Sequence, residues 1–114
     1  MSDGRLPSGL EASAIIRRAE AEGGFATVLH RGDPDRGALL LVITSRGRHI
    51  ACLERQLAMD GRDLWNAVGP SESDSSTKLA EFLARRTRFD ADLWLIELDI
   101  AHPERFIAET TATS

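Results

Sequence analysis

Several residue types are scarce in this chain, and each scarcity excludes a class of structure or location. The single cysteine, Cys52, excludes an internal disulfide and fits a reducing compartment. No apolar run approaches the roughly 18–20 residues that a membrane-spanning helix needs, and residues 1–5 lack the layout of a signal peptide. We therefore expect a cytoplasmic protein without a membrane partner.

Basic residues are also fewer than acidic ones, 14 against 18, and the formal net charge is −4. This balance disfavours non-specific attraction to nucleic acid, so no nucleic-acid partner is expected. Apolar residues at 42% and charged residues at 28% are typical of a globular protein. The length predicts a single α+β domain over residues 5–108, with residues 1–4 and 109–114 as disordered tails.

Two segments have the periodicity of helices that bury one apolar stripe. In the first, Ser8 and Glu11 form a capping-box pattern and Gly23 provides an exit, which predicts a helix over residues 9–22. Its stripe consists of Ala12, Ile15, Ile16 and Ala19. The second helix is predicted over residues 76–87, and its stripe consists of Leu79, Phe82 and Leu83.

Five segments are typical of β-strands bounded by turn-forming residues. They cover residues 25–31, 38–44, 49–55, 63–68 and 92–100. The segment 38–44 is apolar on both faces, as in a central strand. In 92–100, Trp94 and Ile96 belong to an alternating set that should face the core. The order of elements predicts an α+β fold: a mostly antiparallel sheet of four or five strands with two helices packed on one face.

Three segments carry a resemblance to a known family. They are Arg17-Arg18, Glu22-Gly23-Gly24-Phe25-Ala26 and Arg86-Thr87-Arg88-Phe89-Asp90-Ala91-Asp92-Leu93-Trp94-Leu95-Ile96-Glu97. Across residues 5–100 the chain resembles a family of small alphaproteobacterial proteins, domain of unknown function 1491. The Arg-Phe-Asp-x-Asp-Leu-Trp segment is the most specific part. The resemblance implies one compact domain, and it implies no activity, ligand or catalytic residue.

Arginines in and beside the two predicted helices are the first candidates for a binding site. The candidate set is Arg85, Arg86, Arg88, Arg17 and Arg18, joined by Trp65. Guanidinium groups suit contact with carboxylate or phosphate, and an exposed tryptophan near arginines marks a partner surface. Two alternatives stay open: the arginines are ion-pair partners within the chain, and Trp65 packs into the interior.

The sequence offers weaker candidates for catalysis. Glu97 and Asp99 share one face of the last strand at a separation of about 7 Å, which permits acid–base chemistry but is also typical of a solvated strand end. A nucleophilic Cys52 would need a histidine beside it, and the spacing predicts that His49 points to the opposite face of the strand.

The remaining polar groups favour structural roles. Asp90 and Asp92 flank a helix-to-strand corner and fit an Asx-type turn. The three histidines lack the short spacing of a zinc site, so neither a metal nor a cofactor is predicted.

These observations favour a binding, accessory or self-associating domain without catalytic activity. The weak strand predicted over residues 63–68 is peripheral and carries Trp65, and it would contact a protein partner or a second copy of the chain. The alternative is a small hydrolase or transferase, with the arginines holding an anionic substrate and Glu97 or Asp99 acting as the base.

Overall fold

Both predicted helices and all five predicted strands are present in the computed structural model, which describes residues 6–57, 59–61 and 63–112. The elements are α1 (Ser8–Ala21), β1 (Phe25–His30), β2 (Leu39–Ser45), β3 (Arg48–Leu57), β4 (Asp63–Val68), α2 (Ser76–Phe89), β5 (Trp94–Asp99) and α3 (Pro103–Ala112). Helix α3 is additional to the predicted elements.

The five strands form one sheet in the order β1–β5–β2–β3–β4. β2 and β5 are parallel, whereas the other neighbouring strands are antiparallel. The parallel pair arises because the chain leaves β4 at the sheet edge, crosses through α2 and returns between β1 and β2. The α+β class and the mostly antiparallel sheet are confirmed, and β5 is an interior strand as predicted.

The core has two halves because β2 is buried along its length on both faces of the sheet. On one face, Ile96 and Leu98 of β5 pack with residues of α1 and α3. On the other face, Leu93 and Leu95 pack with residues of α2. The predicted alternation of the last strand is confirmed, and its apolar beginning lies under a helix.

The two helices that share a face are α1 and α3, which corrects the prediction that the first two helices would do so. Leu79, Phe82 and Leu83 of α2 pack on the opposite face, against the cluster that contains Leu40 and Val42. The apolar face of α2 could pack on either face of the sheet, because β2 is apolar on both. Sequence periodicity alone therefore could not assign this helix to a face.

Helix α3 also corrects the predicted end of the domain. Residues 109–112 continue this helix, so the prediction of disorder is wrong for them. Phe106 is buried in the core, and the Arg18 guanidinium stacks 3.8 Å from its ring centroid and donates to Thr110 Oγ1 at 2.6 Å. The predicted tails at residues 1–4 and 113–114 lie outside the described residues.

The β1–β2 loop holds the start of α1 in place of the predicted capping box. Ser8 Oγ donates to the Gly37 carbonyl at 2.6 Å, and the Gly9 N–H donates to the Pro34 carbonyl at 2.7 Å. Glu11, the other capping-box residue, forms an ion pair with Arg55 of β3 instead. Acceptors distant in the sequence satisfy the first helical amides, so the capping prediction is wrong.

The same loop folds onto the start of β5, and two glycines permit the close approach. Trp94 Nε1 donates to the Asp33 carbonyl at 2.7 Å, and the Asp33 N–H donates to the Asp92 carbonyl at 3.0 Å. A Cβ atom at Gly32 or Gly37 would lie 2.2 Å from that Asp92 oxygen. Any side chain there would push the loop away from the Trp94 indole.

Two neighbouring residues of β3 tie a helix to each face of the sheet. Arg55 pairs with Glu11 of α1. Glu54 points the other way and accepts bonds from Arg86 of α2 at 3.2 and 2.5 Å. Hydrogen bonding to Glu54 raises the pKa of Arg86, so the guanidinium stays charged and bidentate.

The Glu54–Arg86 pair gives a matched test on adjacent arginines. We expect Arg86→Ala to lower the free energy of unfolding by about 1–2 kcal/mol, because a half-buried carboxylate loses its charged partner. Arg85→Ala should change it by less than about 0.5 kcal/mol, because Arg85 is exposed on the same helix. Urea denaturation followed by circular dichroism measures both, and equal effects would contradict this role for Arg86.

Burial of Cys52 gives a pH-dependent prediction. Burial raises the pKa of its thiol to about 11, an effect that the Arg86 charge partly offsets. The fold therefore favours the neutral thiol. That contribution to stability is complete below the unfolded pKa of the thiol and is lost as the pH rises toward about 11.

We therefore expect the difference in unfolding free energy between the wild type and Cys52→Ala to shrink between about pH 9 and pH 11. Other groups that titrate in this range are common to both proteins and cancel in the difference. Urea denaturation at pH 8, 9, 10 and 11 measures it. A difference that stays constant over this range would show that the folded protein does not discriminate against the thiolate.

Candidate functional site

The structure separates the five predicted arginines. Arg17 and Arg18 lie on α1, whereas Arg85, Arg86 and Arg88 lie on α2, on the opposite face of the sheet. Arg18 and Arg86 make the intramolecular contacts described above, which is the structural alternative left open by the sequence. Arg17, Arg85 and Arg88 are exposed, and their role in binding stays a prediction.

Trp65 lies on a peripheral strand as predicted, but its side chain is only 8% exposed and belongs to the core cluster. It pairs with Arg55 of β3 and so shares the sheet face that α1 and α3 cover. The structure therefore favours packing over the exposed partner surface. Burial of Trp65 also removes the main apolar group from the β4 edge.

The two carboxylates of β5 have different environments. Asp99 accepts hydrogen bonds from the backbone N–H groups of Arg46 and Gly47 at 3.0 and 2.9 Å, so it holds the β2–β3 hairpin turn. Both turn residues have positive φ, 54° and 80°, as in the two-residue turns that are common in β-hairpins. Asp99 is thereby committed to a structural role, whereas Glu97 faces a cleft.

This polar cleft has a volume of about 330 Å³ and lies between the β2–β3 hairpin and the start of α2. Its polar lining consists of Thr44, Arg48, His49, Glu72, Asp74, Ser75, Ser76 and Glu97. In the described chain, none of the five predicted arginines is part of that lining. The arginine that lines this cleft with Glu97 is Arg48, which was not among the candidates.

His49 lies on the same face of the sheet as Cys52, contrary to the prediction from sequence spacing. The β2–β3 register shifts at residues 43–44, so His49 pairs with Thr44 and Cys52 pairs with Val42. Thr44 and Val42 share a face of β2, and a bulge in β3 reverses the expected parity. The raised pKa of Cys52 keeps its thiol neutral and disfavours nucleophilic chemistry.

The corner at residues 90–92 is structural as predicted. Asp90 Oδ1 accepts the Asp92 N–H at 3.1 Å in an Asx-type turn. The described residues contain no group of three or more His, Cys, Asp and Glu side chains that could hold a metal ion. Of the described helices, none has both the length and the apolar character to cross a membrane.

Among the strand residues whose burial is described, the exposed large apolar ones are on β1, the edge strand opposite β4. Phe25, Val28 and Leu29 are 75%, 43% and 47% exposed. Phe25 and Thr27 pair with Asp99 and Glu97, so they lie on the α2 side of the sheet. Within the described residues only β5 is hydrogen-bonded to β1, and the outer edge of β1 is open.

A second cleft continues this edge on the α1 side of the sheet. It has a volume of about 460 Å³ and is mainly apolar. Its lining consists of Pro7, Gly9, Leu10, Ala12, Ser13, Ile16, Val28, Arg31, Pro34, Asp35 and Trp94. Val28 pairs with Ile96 and so points toward this side. The edge of β1 and the cleft together form one surface, which we call the β1 surface.

The β1 surface has the features of a site for an added strand. Outward N–H and C=O groups of an edge strand can pair with another strand, and a neighbouring cleft can receive alternate side chains. The sequence predicted the strand but not its position, since apolar residues at 25, 28 and 29 are equally compatible with an interior strand. An uncharged run over residues 25–29 was the only available signal.

Comparison with known proteins identifies a family and several solved structures that this chain resembles. It matches the family described as protein of unknown function (DUF1491) over residues 6–108. The crystal structure of a DUF1491 family protein from Caulobacter crescentus is 30% identical, with a TM-score of 0.74, and the match covers 83% of this chain and 88% of that one. An NMR structure of a DUF1491 family protein from the same organism is 31% identical, with a TM-score of 0.71 and coverage of 84% and 86%.

A solution structure of a protein from A. tumefaciens is 30% identical, with a TM-score of 0.64, and the match covers 83% of this chain and 86% of that one. No curated protein matches the chain. The family match spans most of the sequence, and the matched structures are about 30% identical to this chain and have a similar fold. The chain therefore belongs to the DUF1491 family, as the Arg-Phe-Asp-x-Asp-Leu-Trp segment indicated.

Proposed function

We propose that this protein is a non-catalytic binding domain that acts by accepting a strand at the outer edge of β1. The observation that carries this proposal is an open edge strand with three exposed apolar side chains, Phe25, Val28 and Leu29. An added strand would cover these side chains and satisfy the outward backbone groups of β1. The proposed contact strand is then β1, whereas the sequence indicated the peripheral strand that contains Trp65.

The lack of protection along this edge supports the proposal. Soluble proteins commonly guard edge strands with charged side chains, proline or a covering helix. Residues 25–29 contain neither a charged residue nor proline. The first guard is the register shift between Val28 and His30, which is followed by Arg31. The four residues Phe25–Val28 are therefore in regular register along this open edge before the bulge, after which His30 still pairs with Leu95.

The energetics are sufficient for specific association. Burial of a large apolar side chain contributes about 1.5–3 kcal/mol, less for side chains that are already half covered. Each new backbone hydrogen bond adds about 0.5–1.5 kcal/mol. Ordering of the partner and loss of its free motion oppose these terms. Three apolar contacts and a short ladder are compatible with the moderate affinity of a regulatory or accessory contact.

Binding accounts for the polar groups better than the hydrolase or transferase alternative does. Asp99, Arg86 and Arg18 are engaged by other parts of the chain. Burial keeps Cys52 protonated at neutral pH. Glu97 faces a polar cleft, but no predicted arginine accompanies it in the described chain. The arginine in that cleft is Arg48, so the candidate arginines do not form the substrate clamp of that alternative.

A matched pair of phenylalanines tests the proposal, because Phe25 on β1 and Phe89 at the end of α2 are 75% and 76% exposed. Tagged wild type, Phe25→Lys and Phe89→Lys are used to purify partners from the native organism, and mass spectrometry quantifies them. We expect the dominant partner, which can be a second copy of the chain, to be reduced about tenfold or more by Phe25→Lys alone.

Circular dichroism and thermal melting of both variants provide the control for folding. Each substitution replaces an exposed side chain, so both melting temperatures should stay close to the wild-type value. Equal partner recovery with Phe25→Lys and wild type would refute the β1 surface as the contact. Equal loss with both phenylalanine variants would show a non-specific effect of added charge.

A further inference from the structure

We infer that the strand accepted by β1 is the β1 strand of a second copy, paired antiparallel across a two-fold axis that passes through Thr27. This inference rests on the proposed function and names its partner. The result would be a continuous ten-stranded sheet in which the two β1 strands are central. Symmetry, side-chain pairing and charge each support this occupant.

Symmetry restricts the possible registers. Residues opposite each other in a β-ladder point to the same face, and a two-fold axis perpendicular to the sheet keeps the faces of both copies aligned. The axis must therefore pass through a residue and not between two residues. Centres at Ala26, Thr27 and Val28 are the choices that keep the exposed part of β1 in the ladder.

The centre at Thr27 gives the best side-chain pairs. It places Phe25 of each copy opposite Leu29 of the other, so the two most exposed apolar residues of β1 cover each other twice. It places Ala26 opposite Val28 on the α1 side. A centre at Val28 would set Phe25 opposite Arg31, and a centre at Ala26 would set it opposite Thr27.

Charge at the two ends of β1 is complementary to a second antiparallel copy. The residues before the strand include Glu20 and Glu22, and the residue after it is Arg31, all exposed. Arg31 follows the bulge at the end of β1, so in the Thr27 register it would lie near residues 22–24 of the other copy and close to Glu22. Glu22 also contacts Arg105 of its own chain at 3.5 Å. In this antiparallel dimer the acidic beginning of each β1 strand lies beside the basic end of the other. A parallel arrangement would place like charges side by side.

The remaining surface is compatible with this geometry. Both α1 helices would lie on the same face of the joined sheet and flank the seam, since α1 covers one face only. On the α2 side, Phe25 and Thr27 are exposed, so no helix blocks approach to the edge. The clefts beside Val28 would then meet across the seam and lose solvent.

A cysteine at the two-fold centre tests the register directly. The Cα atoms of directly opposite residues in an antiparallel pair are about 4.5 or 5.5 Å apart, and both values fall in the range for a disulfide. Buried Cys52, with its pKa of about 11, does not compete. We expect Thr27→Cys to form a disulfide-linked dimer at micromolar concentration under mild oxidation, resolved on a non-reducing gel.

Two exposed positions serve as matched controls. Val28→Cys lies on the same strand, but in the Thr27 register its own copy is a diagonal neighbour, about 7–8 Å away and too far for a disulfide. Ala80→Cys lies on α2, away from the seam. We expect both to cross-link at least about tenfold more slowly than Thr27→Cys. Analytical ultracentrifugation of the wild type should show a reversible dimer that Phe25→Lys weakens about tenfold or more.

Each outcome has a defined consequence. Preferential cross-linking at Thr27 together with a wild-type dimer supports the inference. Cross-linking at Val28 instead, or equal rates at all three positions, overturns it. A monomeric wild type with no preference at Thr27 also overturns it. In that case the proposed function still stands if Phe25→Lys, and not Phe89→Lys, loses a different protein, and it fails if both variants behave like the wild type.

Discussion

The pairing of two doubly buried strands, β2 and β5, is the constraint on which the rest of the structure depends. Their parallel ladder runs from Leu39 opposite Trp94 to Thr44 opposite Asp99. Apolar side chains on both faces of this pair require cover on both sides, which α1 and α3 provide on one face and α2 on the other. Two consecutive residues of β3 form ion pairs with these helices: Arg55 pairs with Glu11 of α1 on one face, and Glu54 pairs with Arg86 of α2 on the other.

The same constraint explains why the two edge strands of the sheet, β1 and β4, differ in exposed apolar surface. Three helices cover the middle strands and the side chain of Trp65 on β4, so the β4 edge exposes little apolar surface. β1 lies at the edge of the sheet next to β5, where α2 does not cover it. Phe25 and Leu29 therefore remain exposed. The surface available for binding is thus what the helices that stabilise the core leave uncovered.

Predictions from periodicity succeeded, whereas several predictions that a contact distant in sequence could override failed, among them the capping box of Ser8 and Glu11. Alternation of Trp94 and Ile96 predicted an inward face correctly, because side-chain direction in a strand is local. His49 was assigned to the wrong face because a bulge, defined only by the partner strand, changes the parity. α3 was missed because Arg18 of α1 supplies the contacts to Phe106 and Thr110.

The sequence by itself determined the α+β class, the extents of most elements, the buried strands, the Asp90 turn and the family. These properties follow from periodicity, turn chemistry and a short specific segment, all of which are local in the chain. Tertiary structure alone decided the strand order, the face occupied by α2, the engagement of Arg18 and Arg86, and the exposure of β1. The physical reason is that an apolar stripe in the sequence indicates which surface of a helix or strand must be buried. Only the folded chain determines which other element covers that surface.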